Sequence, residues 1–292
     1  MQKNINQAQG NFYQDNIVYR ELQQFFDLGR AVFDFGNGCA DDVKHWKVDE
    51  SLESHLRDVV SGLYSSSLKT FRSILFLSNQ GHGEDAMNLT RTIFDNYLTL
   101  RYIQENPKDN IYRFKNYSVL ETKFMLDRAK NEDSNMLPEI KKIVLQKETE
   151  ILQNYNKIKT FYVRQGEDDE RSLRKFKSGR WAGINRRRMA EDTCLVVDYD
   201  CVFHFHSCFI HPHPYGLSGF REETESEVRF GAKASSEEVF PALPVAMRYF
   251  LLILKEWAKL LQLDKDTQIE IFLSEVVKLE TEHINKMELF SE

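Results

Sequence analysis

The chain has 292 residues, of which 41% are hydrophobic and 29% are charged, and its formal net charge is −6. A chain of this length can bury a sizeable core, and the composition is typical of a soluble globular protein. The negative balance argues against a protein that coats nucleic acid over its whole surface, although a local basic patch is compatible with it.

The sequence lacks the short motifs of several enzyme classes: GxxxxGK[ST], GxGxxG after a strand, GxSxG and HExxH. ATPase, dinucleotide-dependent, serine-hydrolase and zincin mechanisms are therefore disfavoured, and we expect no cofactor. No apolar signal segment opens the sequence, and the longest apolar run, 249–254, is too short to cross a bilayer. The four cysteines form no CxxC pair, so we expect reduced thiols, a cytoplasmic location and no membrane association.

Apolar residues recur at helical spacing through the first half of the chain. Gly36 and Gly38 are expected to end the first helix, Gly81 and Gly83 to break the chain before the third, and Pro107 to end the third. The helices predicted in this half cover 11–35, 51–79, 84–105, 110–130 and 138–164.

The second half begins with an exposed loop over 165–180, where the sequence changes from acidic to basic. A further long loop or flap is predicted over 216–237, because these residues are rich in Gly, Ser and Glu and show little periodicity. Pro241 and Pro244 are expected to precede a helix rather than lie in it. The helices predicted in this half cover 184–198, 199–211, 245–262 and 267–287.

No alternating strand pattern and no internal repeat stand out, so the sequence predicts an all-α helical bundle. We expect one domain over 1–292, with a core over about 50–262. The N-terminal helix over 11–35 and the C-terminal helix over 267–287 would pack on that core.

The helix over 84–105 carries a first candidate site. Arg91 and Asp95 are four residues apart and share one face, within an otherwise strongly apolar helix. One interpretation is a surface ion pair worth a few tenths of a kcal/mol. The other is a half-buried pair that orients a group on a neighbouring helix.

Residues 199–215 carry a second candidate site, with four of the eight histidines. If this segment is helical, His204, Ser207, Cys208 and His211 lie on one stripe, and Pro212 ends the helix just beyond it. Histidine titrates near neutral pH, so these side chains are candidates for general acid–base catalysis, and a neighbouring histidine could activate the Cys208 thiolate.

The same segment allows two other interpretations. His204, His211 and His213, with Asp198 or Asp200, contain the donor types that bind zinc or another transition metal. Alternatively, one or two of the histidines are hydrogen-bonded inside a packed helix.

A basic cluster precedes the histidines and is interleaved with Phe176 and Trp181. Cations of this kind contact phosphates, and aromatic rings stack on bases. The acidic residues 167–170 could instead neutralise the cluster and leave a solvated loop. The candidate nucleic-acid-binding residues are Lys175, Arg180, Trp181, Arg186, Arg187 and Arg188.

Two segments resemble an uncharacterised bacterial helical family. Residues 86–95 (AMNLTRTIFD) resemble its A-x-x-L-x-R-x-x-x-E helix, with Asp95 in place of Glu. The segment from Trp181 through Tyr199 to Ser207 and His211 resembles its W-x-G…Y…S-x-x-x-H pattern. The resemblance covers about 70–220 and implies a domain of unknown function.

The helical architecture also resembles the HEPN superfamily of helical ribonucleases and toxins, in which Arg and His of an R-x4–6-H motif flank a scissile RNA phosphate. Ser207 stands at the position resembling that arginine, and Arg91 would substitute for it from another helix. The resemblance implies a homodimer, because HEPN-like folds often pair to build a shared cleft.

Three hypotheses follow. The first is a metal-independent RNA-cleaving effector of the toxin or phage-defence type, with a partner protein from the same operon. His211 would be its acid or base and Arg91 its phosphate-binding group; Asp95, Ser207, His204 and Tyr199 complete the candidate site. The second is a non-enzymatic helical sensor or adaptor, in which the network formed by Arg91, Asp95, Ser207 and His211 is structural or binds a small ligand. The third is the histidine metal site.

Overall fold

The computed structural model of the chain describes residues 22–43, 49–132, 134–163, 166–204, 217, 221–223, 227–230 and 239–289. The predicted all-α helical fold is confirmed. The α-helices of these residues, in chain order, are α1 Gln23–Asp41, α2 Leu52–Asn79, α3 Gly83–Glu105, α4 Pro107–Lys130, α5 Pro138–Gln146, α6 Glu148–Ile158, α7 Asp169–Arg174, α8 Arg186–Asp192, α9 Val196–Asp198, α10 Val239–Leu260 and α11 Asp266–Leu289.

Four shorter elements are also described. A 3-10 turn covers Lys159–Phe161, and a π-helix covers Tyr199–His204. Within the range predicted as a long loop, β1 (Arg221–Glu223) pairs antiparallel with β2 (Val228–Phe230).

Helix α1 continues through Gly36, where the sequence predicted its end. Gly36 is needed for close packing instead: a Cβ added there would lie 2.6 Å from Cζ of Phe250. The Gly36 carbonyl also accepts a hydrogen bond from the Tyr64 hydroxyl. The absent side chain therefore lets α1 approach its neighbours, and the helix ends only at Asp41.

Other predicted helix boundaries were also wrong: the helix predicted over 184–198 is divided into α8 and α9. The helix predicted over 138–164 breaks at Lys147, which separates α5 from α6 with φ −98° and ψ 11°. Helix α10 begins at Val239 and contains both Pro241 and Pro244. The first four N–H groups of a helix have no partner inside it, so Pro241 removes no helical hydrogen bond and Pro244 removes a single bond near the start.

The chain forms two compact units. One comprises the described parts of Met1–Trp46, Val60–Leu100 and Val197–Glu292, and the second those of Lys47–Val59 and Arg101–Val196. The boundaries between the units fall within α2, α3 and α9. That the whole chain is one domain stays a prediction.

The first unit has an aromatic core centred on α10. The rings of Tyr64 and Trp257 stack with centroids 4.0 Å apart, and Phe71 stacks on Phe250 at 5.1 Å. The indole N–H of Trp257 donates to Ser61 Oγ at 3.0 Å, which satisfies its one polar group. Stacked rings of this size contribute both buried apolar area and specific geometry.

The second unit is built on α4. Its apolar side chains pack with those of α5 and α6 around Leu126, Val144 and Ile151. Hydroxyl groups add long-range bonds: Tyr162 donates to the Arg113 carbonyl at 2.5 Å and Tyr117 to the Phe176 carbonyl at 2.6 Å. Both tyrosines are buried, so these bonds satisfy groups that water cannot reach.

No helix among the described residues is long and apolar enough to cross a membrane. Cys39 is buried, whereas Cys194 and Cys201 are exposed, and all three are free thiols. Cys208 lies outside the described residues.

Candidate active site

Helix α3 carries the two charged residues predicted as a site. Asn88, Arg91 and Asp95 are spaced by three and four residues, so they share one face of the helix. All three are half-buried, whereas Ile93 and Phe94 on the adjoining face are fully buried. The buried face fixes the rotation of α3 and holds Arg91 and Asp95 at the margin of the core.

The segment that leads into the histidines begins as a π-helix, where an α-helix over 199–211 was predicted. The i→i+5 bonds of a π-helix are rare and occur frequently at functional sites. The rings of Tyr199 and Phe203 stack with centroids 4.6 Å apart and an interplanar angle of 15°. Two parallel aromatic rings therefore stand directly before His204.

Arg91 packs against this aromatic pair. Its guanidinium carbon lies 3.6 Å from the centroid of the Phe203 ring, which is close cation–π geometry. The contact joins α3 to the π-helix, two elements that are distant in the sequence. A guanidinium that lies over an aromatic ring still has N–H donors that can bind a carboxylate or a phosphate.

A buried tyrosine anchors the residue just before the π-helix. The Tyr249 hydroxyl, on α10, donates to Asp198 Oδ1 at 2.5 Å. Burial, together with this bond to a carboxylate, raises the pKa of Tyr249 well above its ordinary value. The hydroxyl therefore remains a donor at all ordinary pH values. The Tyr249 ring also meets Phe94 of α3 edge to face at 4.9 Å.

Sequence reasoning missed two residues of this arrangement. Tyr249 opens the apolar run 249–254, and no site residue was predicted there. Phe203 was not singled out, although its four-residue spacing from Tyr199 is a signal for a stacked pair. Asp198 was considered only as a metal ligand.

The structure describes only part of the histidine segment. His204 closes the π-helix, and its backbone alone is described. Ser207, His211 and His213 lie outside the described residues. The roles of His204, Ser207 and His211 as acid, base or orienting group therefore stay predictions.

The metal hypothesis is untested for the same reason. Within the described part of the chain, no three His, Cys, Asp or Glu side chains are placed to hold a metal ion. Asp198 instead accepts the bond from Tyr249, and Asp200 is exposed. The proposed ligands His211 and His213 lie outside the described residues.

The predicted nucleic-acid-binding residues differ in exposure. Trp181 is only 3% exposed, and its ring meets Phe114 edge to face at 5.1 Å. A base could stack on it only if the surrounding side chains moved. Lys175 and Arg180 are exposed, as are Arg187 and Arg188 of α8, while Arg186 is half-buried.

A family model matches residues 57–228, more than half of the chain. The chain belongs to a family of unknown function, DUF5677. The matched range contains all of α3 and the π-helix, and therefore Arg91, Asp95 and Phe203. This membership agrees with the predicted resemblance to a domain of unknown function, whereas the HEPN-like interpretation stays a prediction.

No curated protein matches the chain. No solved structure matches it either.

Proposed function

We propose that this protein is a bacterial, HEPN-like helical effector of the toxin or phage-defence type that cleaves RNA without a metal ion. The observation that supports it is the position of Arg91, whose guanidinium stacks on Phe203 immediately before the histidine segment. A cation held at 3.6 Å from that ring has the chemistry required of a phosphate-binding group next to a histidine acid or base.

The proposed reaction is an attack by the ribose 2′-hydroxyl on the adjacent phosphorus. His211 would accept the 2′-hydroxyl proton or donate a proton to the leaving 5′-oxygen, so the products would carry a 2′,3′-cyclic phosphate and a 5′-hydroxyl. Arg91 would balance the charge that grows on the phosphate oxygens. Asp95, one helical turn from Arg91, and Ser207 would hold the two groups in position.

Two further expectations belong to the proposal. A HEPN-like effector is expected to act as a homodimer in the cytoplasm, with the cleft shared between two copies. A toxin is also expected to be controlled by a partner protein from the same operon. Light scattering of the purified protein tests the homodimer, and co-purification tests the partner protein.

The test is RNA integrity after incubation with wild type, His211→Ala and Arg91→Ala, each with and without EDTA. Wild type should yield 5′-hydroxyl fragments in EDTA, and both variants should be inactive. His82→Ala is the matched control, because His82 is an exposed histidine outside the candidate site. Cleavage that disappears in EDTA would contradict this proposal and support a metal site on His204, His211 and His213.

A second candidate is a non-enzymatic sensor or adaptor. The partly buried Tyr249–Asp198 bond and the contact of Arg91 with Phe203 favour it, because both also serve to fix the packing of helices. In that case wild type cleaves no RNA, and His211→Ala lowers the free energy of unfolding by about 1–3 kcal/mol, as loss of a buried network partner does.

A further inference from the structure

The basic cluster stands out against the charge of the whole chain. Residues 171–190 contain eight Lys and Arg and no Asp or Glu, in a protein whose net charge is −6. A short stretch with charges of one sign creates a local electrostatic potential that the net charge of the chain does not reveal. These cations are Arg171, Arg174, Lys175, Lys177, Arg180, Arg186, Arg187 and Arg188.

Some of these cations are paired with carboxylates that flank the stretch. Arg188 of α8 lies 3.0 Å from Asp192 and 3.3 Å from Glu191, and Arg187 lies 3.6 Å from Glu191. Their charge is therefore largely compensated within α8 itself. Arg174 is compensated in the same way by Glu170, at 3.3 Å.

Lys175, Lys177 and Arg180 differ from those three arginines. All three are exposed, and none forms an ion pair with any residue that the structure describes. The Nζ of Lys175 lies 5.2 Å from the ring centroid of Phe176, and an aromatic ring does not cancel a positive charge. Three uncompensated cations therefore lie within six residues of each other.

The segment that presents them is fixed in place. Phe176 is 1% exposed and Trp181 is 3% exposed, so both ends of the segment are anchored in the core of the second unit. The Phe176 carbonyl accepts a hydrogen bond from Tyr117 at 2.6 Å. Between the anchors, Ser178 and Gly179 have φ of 62° and 75°, which form a tight turn. A preorganised segment loses less conformational entropy when it binds.

We infer that the segment 175–180, here the basic turn, is a docking surface for the phosphodiester backbone of single-stranded RNA. The inference rests on the proposed function for its choice of RNA and concerns binding rather than cleavage. Lys175, Lys177 and Arg180 would each contact one phosphate, and Arg174, Arg187 and Arg188 would contribute little.

The chemistry of the basic turn favours a nucleic-acid backbone over an acidic protein. Phe176 within it and Trp181 directly after it are both buried, so its outer surface offers charge without an apolar anchor. Protein–protein interfaces depend on aromatic and apolar residues at their centre. Binding to a phosphate backbone requires cations alone and is independent of sequence.

The test measures fluorescence anisotropy of a labelled single-stranded RNA oligonucleotide of mixed sequence, in the His211→Ala background so that the probe stays intact. The turn variant is Lys175→Gln, Lys177→Gln and Arg180→Gln. The matched control removes the same number of charges from paired arginines: Arg174→Gln, Arg187→Gln and Arg188→Gln.

We expect the turn variant to lose most of the RNA affinity and the control to stay close to the parent. Each contact on a single strand contributes about 0.7 to the slope of log affinity against log salt, so three contacts contribute about 2. Between about 50 and about 200 mM salt, the parent should therefore lose about 20-fold more affinity than the turn variant. Circular dichroism checks that both variants are folded.

Equal losses in the turn variant and the control would overturn the inference, because net charge alone would then explain binding. Binding of a labelled polyglutamate probe as tightly as RNA would overturn it in favour of an acidic protein partner. The proposed cleavage is tested independently of the proposed binding. If wild type binds RNA in a salt-dependent way but does not cleave it, the nuclease proposal is wrong and the docking surface is kept. If wild type cleaves RNA and the turn variant binds RNA as tightly as its parent, the docking surface is removed and the nuclease is kept.

Discussion

The guanidinium carbon of Arg91 lies 3.6 Å from the centroid of the Phe203 ring, and this contact ties the polar face of α3 to the π-helix. A half-buried arginine at the margin of a core is costly unless its charge finds a partner. The ring supplies part of that compensation while the side chain remains half-buried. The contact therefore stabilises the packing of α3 and also positions a cation. A double-mutant cycle measures what it contributes to stability.

Arg91→Ala and Phe203→Leu should be non-additive in stability. A cation–π contact at a partly desolvated site contributes about 1 kcal/mol, so the double variant should be less destabilised than the sum of the single variants by about that amount. Urea unfolding of the four proteins measures it. If the two changes add within about 0.3 kcal/mol, the contact contributes nothing to stability.

Tyr249→Phe should destabilise the protein by about 1–3 kcal/mol, because the half-buried Asp198 carboxylate loses a donor that water replaces poorly. The same change should cost much less in an Asp198→Ala background, where no carboxylate is left without its donor. Thermal unfolding of the four proteins distinguishes these outcomes. Equal losses in both backgrounds would mean that Tyr249 contributes through its ring rather than through its hydroxyl.

The sequence predicts the helices better than it predicts their ends. The apolar period of α2 and α3 is strong, and both match the expected ranges to within a residue. The break at Lys147 carries no Gly or Pro, so no local signal distinguishes α5 from α6. Pro241 and Pro244 gave a misleading signal, because a proline in the first turns of a helix and a proline before the helix produce the same sequence pattern.

The candidate site was predicted in part. The spacing of Arg91 and Asp95 was sufficient to single out that face of α3. The partner of Arg91 is an aromatic ring from a distant segment, and neither helical periodicity nor motif spacing encodes such a contact. The burial of Trp181 was missed for a similar reason, because a Trp among cations fits a base-stacking surface and a core anchor equally well.

Gly36→Ala and Gly38→Ala, two positions apart in α1, should have opposite effects. A Cβ at Gly36 would lie 2.6 Å and 2.8 Å from two atoms of the Phe250 ring, which is fully buried and stacked on Phe71. We expect a loss of about 1–3 kcal/mol from this overpacking. A Cβ at Gly38 meets nothing within 4 Å, so the better helix propensity of Ala should stabilise α1 by about 0.5–1 kcal/mol. Urea unfolding of both variants provides the comparison. A Gly36→Ala protein as stable as Gly38→Ala would show that α1 can shift away from α10.

Two buried tyrosines of the second unit should respond differently to loss of the hydroxyl. Tyr162 donates to the Arg113 carbonyl, so Tyr162→Phe should cost about 1 kcal/mol at neutral pH. The Tyr155 hydroxyl is buried and has no hydrogen-bond partner among the described residues. Tyr155→Phe should therefore be neutral or slightly stabilising at the same pH.

Tyr155 also predicts a pH dependence of stability. Burial raises the pKa of Tyr155 to about 12, whereas an unfolded tyrosine titrates near about 10. The stability linked to this group is thus fully present below about pH 10 and is lost as the pH rises towards about 12, since only the unfolded state ionises there. Tyr155→Phe removes this loss, so its advantage over wild type should grow by about 1 kcal/mol between about pH 9 and about pH 11. Urea unfolding of wild type and Tyr155→Phe at the two pH values measures the change. An advantage that stays constant across this range would mean that the Tyr155 hydroxyl reaches water in the folded protein.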